Sequence, residues 1–363
     1  MVREDVQNLL AGRTPDRLPW APELNEGFVR KLLAAPAAPP GSPTPYRLLE
    51  RKAAHRIGAA HLHRVQSIRT TFRRVEVEED AQTGVTIIHT PAGNLRRQRV
   101  WNSTSGTMLN FELLVKGPES FPAYRAMIED EVYELAQADA LAEIADSDLA
   151  TIDVPASPLQ HLIMWDMGVQ ETLMCMMEHP DEMADLLGFV HEKNKQFYRL
   201  AASGPGEIFR PMEDTSSKLT GPRMYGQHCV WQLNEYAAIV HEAGKLFVPH
   251  MCGHLGGGML DVIAEIDLDG IEAITPPPLG DADLPAMRRK LGDDVWLIGG
   301  IDPSRYATIE PAQMRAHVAA TLQQMRGDRH FLLGHEEIPL AATMENVAAV
   351  AELVEQTAGT FYS

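Results

Sequence analysis

The sequence predicts an α/β fold, a closed (β/α)8 TIM barrel forming one domain over residues 1–363, with an N-terminal extension and a β-hairpin decoration. Two observations carry this. From about residue 145 onward, short apolar runs alternate with amphipathic stretches of helical length, the rhythm of parallel strands joined by helical crossovers. Counting the earlier, less regular units, about eight such repeats fit the chain length, which favours a closed barrel over an open sheet. No GxGxxG follows a first strand, as an open dinucleotide-binding sheet would carry.

The elements follow in order. A helix is expected over 2–11, ending near Gly12, and a short buried strand over 18–21. The Pro-rich stretch 35–45 reads as a loop, and helical spacing returns over 46–57. Residues 72–101 change period: three alternating segments separated by AQTG and PAG turns form an inserted antiparallel meander. The regular units then begin, with strand runs at 150–154, 206–212, 245–254, 270–278, 295–303 and 330–339. Between them lie helices, among them 259–266, 284–291, 311–325 and 344–357.

Composition narrows the function classes. Lys plus Arg number 32 against 50 acids, a net charge of −18, which disfavours nucleic acid and anionic membrane surfaces as partners. Three cysteines make a disulfide framework improbable. The N-terminus is charged throughout, unlike a signal peptide, and no apolar run approaches the ~20 residues that span a bilayer. The expected setting is the cytoplasm, and a homodimer is compatible with the sequence.

Polar residues capable of chemistry concentrate just after the strand runs: Glu213 and Asp214, His250 and Cys252, Asp302, and His335. In a barrel that is the C-terminal rim, where active sites are built. His250 and Cys252, two apart on a strand end, share a face, and an imidazole with a thiolate suits a zinc-like metal. His335, after the last strand, can meet them across the narrow interior; the set N,S,N with one open position is that of a catalytic zinc. The other reading makes His335 an acid/base or substrate-binding group without metal. Glu213 or Asp214 suits a fourth ligand or a proton carrier. Glu272, mid-strand, either faces the site or pairs with an arginine, because a buried lone carboxylate is costly.

The segments AGRTPDRLPW (11–20), GGIDP (299–303) and LLGHEEIP with TMENV (332–347) resemble, in order and spacing, the uroporphyrinogen decarboxylase superfamily, in register from about residue 3 to 355. That resemblance implies a (β/α)8 barrel and one of two activities. The decarboxylase branch is cofactor-free and uses an arginine-containing segment after the first strand; here that segment, APELNEGFVRK, carries Glu23 and Glu26 instead. A metal-free decarboxylase or lyase is therefore the alternative. The other branch comprises zinc methyltransferases that work with corrinoid proteins, marked by H-x-C on strand five and a third ligand, usually Cys, after strand eight. Here His250-Met251-Cys252 matches the first half and His335 stands in the third position. The resemblance thus implies zinc on His250, Cys252 and His335. It also implies methyl transfer between a small O-, S- or N-methyl compound, or a thiol, and a corrinoid. No D-x-H-x-x-G segment occurs, so the corrinoid would reside on a partner protein.

Overall fold

The computed structural model describes residues 2–35, 46–102, 107–357 and 359–362; the expected loop at 35–45 lies outside them except for Ala35. Eight strands build one curved parallel sheet: β1 (Trp20–Leu24), β2 (Leu62–Val65), β3 (Leu149–Val154), β4 (Ile208–Asp214), β5 (Leu246–Phe247 and His250–Cys252), β6 (Gly270–Ile274), β7 (Trp296–Gly299) and β8 (Phe331–Ile338). Each strand from β2 to β8 pairs with the next, and β8 returns to pair with β1. At the remaining seam, the Ala60 N–H donates to the Trp20 carbonyl at 2.7 Å and draws the start of β2 against β1. The fold is the expected (β/α)8 barrel.

Local chemistry explains the element boundaries. Strand β1 begins two residues later than expected, because Pro19 has no N–H to give to a ladder. Pro158, Pro180, Pro222 and Pro311 each sit in the first turn of a crossover helix, where the missing N–H costs nothing. Asp283 caps the helix Leu284–Leu291 by accepting from the Ala286 N–H at 2.9 Å. Strand β5 is split at Val248 and Pro249 for the same reason that β1 starts late.

Two apolar layers result from the two faces of the sheet. The outer face packs against the helices in one large cluster that includes Phe209, Phe247, Leu297, Phe331 and Leu333. The inner face closes its lower end with Ala21, Leu62, Leu149, Ile208, Val248, Ile298 and Leu332. The N-terminal helix Val2–Leu10 supplies Val6 and Leu9 to this second cluster, so the expected extension is the plug of the barrel floor.

An insertion between β2 and β3 extends beyond the barrel. Ile68–Phe72 pairs antiparallel with Glu131–Leu135. Glu76–Asp80, Val85–Thr90, Gly93–Asn102 and Thr107–Glu112 form a four-stranded antiparallel sheet. The meander expected at 72–101 falls within these strands, and the fourth strand continues it. Ile88 and Leu95, paired across neighbouring strands, are buried against the main core, whereas Val77, Val100 and Trp101 face outward. Among the described residues, no helix is long and apolar enough to cross a membrane.

The plug gives the first prediction. Leu9, 2% exposed, is held in the barrel floor. Leu9→Ala should lower unfolding free energy by about 2–4 kcal/mol, read from urea denaturation, since the closed floor cannot collapse onto the void.

Candidate active site at the barrel mouth

Above the apolar floor, inward positions of successive strands bring charged side chains into one layer. Arg210 of β4 is its centre and is 1% exposed. Its Nε donates to Glu272 Oε1 of β6. Its Nη1 lies 3.3 Å from Asp153 Oδ1 of β3, and its Nη2 lies 2.7 Å from His250 Nδ1 of β5. Glu23 of β1 stands 3.6 Å from the same Nη2 and 3.5 Å from Arg64 Nε of β2. Glu272 in turn touches both imidazoles: Oε1 is 3.0 Å from His250 Nδ1, and Oε2 is 2.7 Å from His335 Nε2 of β8. The two rings meet edge to face with centroids 5.5 Å apart. One donor atom from each of His250, Glu272 and His335 can be chosen so that all lie within 4.8 Å of one another.

His335 reaches this layer through a break in strand alternation. Leu332 belongs to the floor and Leu333 to the outer layer, so strict period-two geometry would send His335 outward with Leu333. A register shift opposite Ala21 and Glu23, with φ of 59° at His335, turns the ring inward. Gly334 permits the bend: a Cβ there would stand 2.4 Å from the Ala21 carbonyl oxygen. The following residue, Glu336, then faces outward and accepts from Trp20 Nε1 at 3.1 Å and the Tyr306 hydroxyl at 2.7 Å. A second break, with φ of 63° at Ala273, follows Glu272 in β6. Backbone held in sparsely populated regions clusters at functional sites, where surrounding structure enforces it.

The electrostatics follow from burial and neighbours. Burial would raise the Glu272 carboxyl, but Arg210 and then His335 outweigh it and hold the group well below the usual carboxylate range. Glu23 is lowered in the same way, with His335, Arg64 and Arg210 overcoming its burial. His250 is pushed down to about 4, first by burial and then by the adjacent Arg210, so its ring is neutral at physiological pH. Although Nε2 of His335 is close to Glu272, neither of its buried ring nitrogens makes a well-formed hydrogen bond among the described residues. Buried polar atoms left this way are uncommon and mark places where a ligand or ion is received.

The expected residues are distributed over both faces of the strands. His250 and His335 meet in the central layer. Cys252 lies two residues beyond His250 on β5, where its Sγ is 3.7 Å from the Glu213 carbonyl. Burial, followed by Asp214, pushes its thiol up to about 12. Asp214 is paired in register with Cys252 and accepts from the Ser216 N–H at 2.9 Å. Glu213 accepts from the Ser157 N–H at 2.6 Å, the Ser157 hydroxyl at 2.8 Å and the Tyr225 hydroxyl at 3.1 Å. It therefore ties the loop after β3 to the helix Gly221–Tyr225, and burial pushes its carboxyl up to about 7. Asp302 is fully buried and holds its own loop through the Ser304 N–H and hydroxyl at 2.9 and 2.7 Å. Of the two acids in the segment expected after the first strand, Glu23 belongs to β1 and lies in the layer, while Glu26 pairs with Arg30 along the helix Glu26–Leu33 at 2.6 Å.

The family model for uroporphyrinogen decarboxylase (URO-D) matches residues 151–357, more than half of the chain. The chain belongs to the uroporphyrinogen decarboxylase family. Among solved structures, it is similar to a methyltransferase from Methanosarcina mazei, with 12% identity, a TM-score of 0.60, and 98% of each chain covered. A GH5-4 broad specificity endoglucanase from an uncultured bacterium matches at 11% identity over 96% of this chain and 95% of its own, with a TM-score of 0.41. No curated protein matches the sequence.

Within this URO-D barrel, sequence reasoning did not find Arg210, Asp153 or Arg64. The available signal was a charged residue inside each apolar strand run, which in a barrel of this kind must face the lumen or an ion-pair partner. Glu272 does both. Beside the layer a cavity of about 400 Å3 is lined by Arg64, Asp153, Arg210, Met212 and Trp165. A second, of about 560 Å3, lies beneath the inserted sheet, and both share Pro155, His161, Trp165 and Phe197. These volumes suit a small organic molecule. His161 and the Tyr124 hydroxyl converge on Asp166 Oδ2 at 2.9 and 2.6 Å, adding a titratable group to the shared wall.

The outward carboxyl behind His335 yields a pH prediction. Burial pushes Glu336 up to about 7 from an ordinary 4.5. A raised folded-state value gives stability that is complete below 4.5 and lost as pH rises through 7. Glu336→Gln, which keeps the acceptor for Trp20 and Tyr306, should be near neutral at pH 5 and stabilising by about 1–3 kcal/mol at pH 8. Urea titrations of both proteins at the two pH values check this.

Proposed function

We propose that this URO-D family member is a metal-dependent methyltransferase acting in the cytoplasm. It would move a methyl group between a small O-, S- or N-methyl compound, or a thiol, and a corrinoid carried by a separate protein. The observation that supports it most is the buried convergence of His250, Glu272 and His335 at the mouth of a barrel similar in fold to a methyltransferase over nearly its whole length.

The donor set suits a zinc-like ion. The His250 ring is neutral, neither His335 ring nitrogen makes a well-formed hydrogen bond, a carboxylate lies beside both rings, and a thiol stands two residues from His250. In this reading His250, Cys252 and His335 are the ligands. For Nε2 of His250 to ligate, its ring proton must sit on Nδ1, so Arg210 Nη2, 2.7 Å from Nδ1, would turn aside and Nδ1–H would donate to Glu272 Oε1, 3.0 Å away, the usual bracing of a metal-bound histidine by a carboxylate. Arg210 keeps that carboxylate ionised and fixed. Bound there, a divalent ion supplies Lewis acidity to the atom that gives or accepts the methyl group. The cavity beside Arg64, Asp153 and Arg210 holds the small substrate, with Trp165 and Met212 covering its apolar part. Asp214, on the face shared with Cys252, is placed to take or return a proton; Glu213, engaged by three donors, keeps the strand end in position.

Metal content tests this reading. Elemental analysis of protein reconstituted with zinc and competed with a chromogenic chelator should show the mouth ion weakened at least tenfold in His335→Ala and in Cys252→Ala. His335→Cys should retain it, and the two alanine effects should be non-additive because both act on one ion. Unchanged affinity in His335→Ala removes the three-ligand site. Formation of coproporphyrinogen from uroporphyrinogen would instead favour the decarboxylase alternative, against which the acidic Glu23 in the mouth argues.

A further inference from the structure

A second cluster of ligating side chains lies at the opposite end of the barrel, away from the mouth. His61 immediately precedes β2, and His63 projects from its outer face; the two rings stack with centroids 5.5 Å apart. Glu50 of the helix Tyr46–Arg56 places Oε2 3.6 Å from His61 Nε2. Glu143 of the helix Gln137–Asp146 places Oε2 3.4 Å from His63 Nε2. His61 is 1% exposed, and among the described residues neither of its ring nitrogens has a hydrogen-bond partner. Burying an imidazole with both nitrogens unsatisfied is costly, and such atoms require a resident partner. The backbone is already fixed for one: Asp148 accepts from the His61 N–H at 2.9 Å and contacts His55 Nε2 at 2.6 Å.

The spacing suits one ion. Donor atoms of Glu50, His61 and His63 lie within 4.8 Å of one another. Tetrahedral zinc, with bonds of about 2.0–2.1 Å, sets its ligand atoms roughly 3.3 Å apart. The His61–Glu50 separation, 3.6 Å, is close to that value. We propose a second divalent-metal site, of zinc type, formed by Glu50, His61 and His63, with Glu143 beside the His63 ring. The site is assigned a structural role. Its location agrees: the N-terminal end of barrel strands serves stability rather than chemistry. It is also beside the seam where the Ala60 N–H meets the Trp20 carbonyl and no β1–β2 ladder forms among the described residues. An ion there clips the helix Tyr46–Arg56 to the start of β2 beside that junction.

The site is independent of the proposed activity, and the experiment separates the two. The full chain carrying His250→Ala and His335→Ala, which lacks two of the three proposed mouth ligands, is reconstituted with zinc and analysed for metal. It is expected to keep about one zinc per chain, to give the visible absorption of four-coordinate Co2+ on cobalt exchange, and to melt about 5 °C higher with zinc than after chelation. In the otherwise native protein, His63→Gln and, separately, Glu50→Gln with Glu143→Gln are expected to lower zinc content by about one equivalent. The carboxamide pair leaves both histidines in place, so the test does not depend on His63→Gln folding. A mouth-site variant that takes up no zinc, or bottom-site variants with unchanged zinc content, overturns this proposal. A single zinc that survives loss of His250 and His335 but disappears with Glu50 and Glu143 supports it and removes the metal from the mouth instead.

Discussion

The ion pair between Arg210 and Glu272 is the constraint on which the mouth of the barrel depends. Both side chains are 1% exposed, directly above an apolar floor that admits no solvent to screen them. Taking either charge out of water alone would be prohibitive, so each requires the other and both require further partners. The guanidinium meets this by presenting its fork to four strands at once: Glu272 on β6, Asp153 on β3, His250 on β5 and Glu23 on β1. A lysine could not span those directions. The lateral order of these strands and the charge balance of the layer are therefore a single arrangement.

Which side of a strand a carboxyl occupies decides its chemistry. Glu23 and Glu272 face the lumen and remain ionised because guanidinium and imidazole groups surround them. Glu213 and Glu336 face the opposite way, accept from hydroxyl, indole and amide donors with no guanidinium beside them, and are pushed up by burial to about 7. The residue type is the same in all four; burial acts on all four in the same sense, and the presence or absence of a cation sets the outcome. The neutral state of His250 belongs to the same account, since Arg210 opposes any second positive charge beside it.

Much of this was legible in the sequence, within definite limits. The β–α rhythm and the spacing of strand runs carry the barrel, because hydrophobic periodicity is a local signal that tertiary structure here obeys. His250 was legible from H-x-C at a strand end and His335 from its place after the last strand. The direction in which His335 points was not: period-two reasoning turns it outward, and only a bulge opposite Ala21 and Glu23 brings it in. The surroundings of Glu213 were not legible either: its donors Ser157 and Tyr225 lie 56 and 12 residues away in sequence. Arg210 was hidden inside GEIFRPM, where an arginine among apolar residues gives no indication of the acids it will find on three other strands. His61 and His63 were passed over because their partners, Glu50 and Glu143, come from helices on either side of β2 and a long insertion separates one of them in sequence.

The helix that plugs the floor has a kinetic consequence. With Val6 and Leu9 seated among Leu62, Leu149 and Leu332, the barrel is a vessel with one opening. Reactants of any kind must arrive and depart through that opening, so two large partners cannot attend the central layer from opposite ends at the same time. A reaction joining them has to be divided in time: one delivers, leaves, and the other collects.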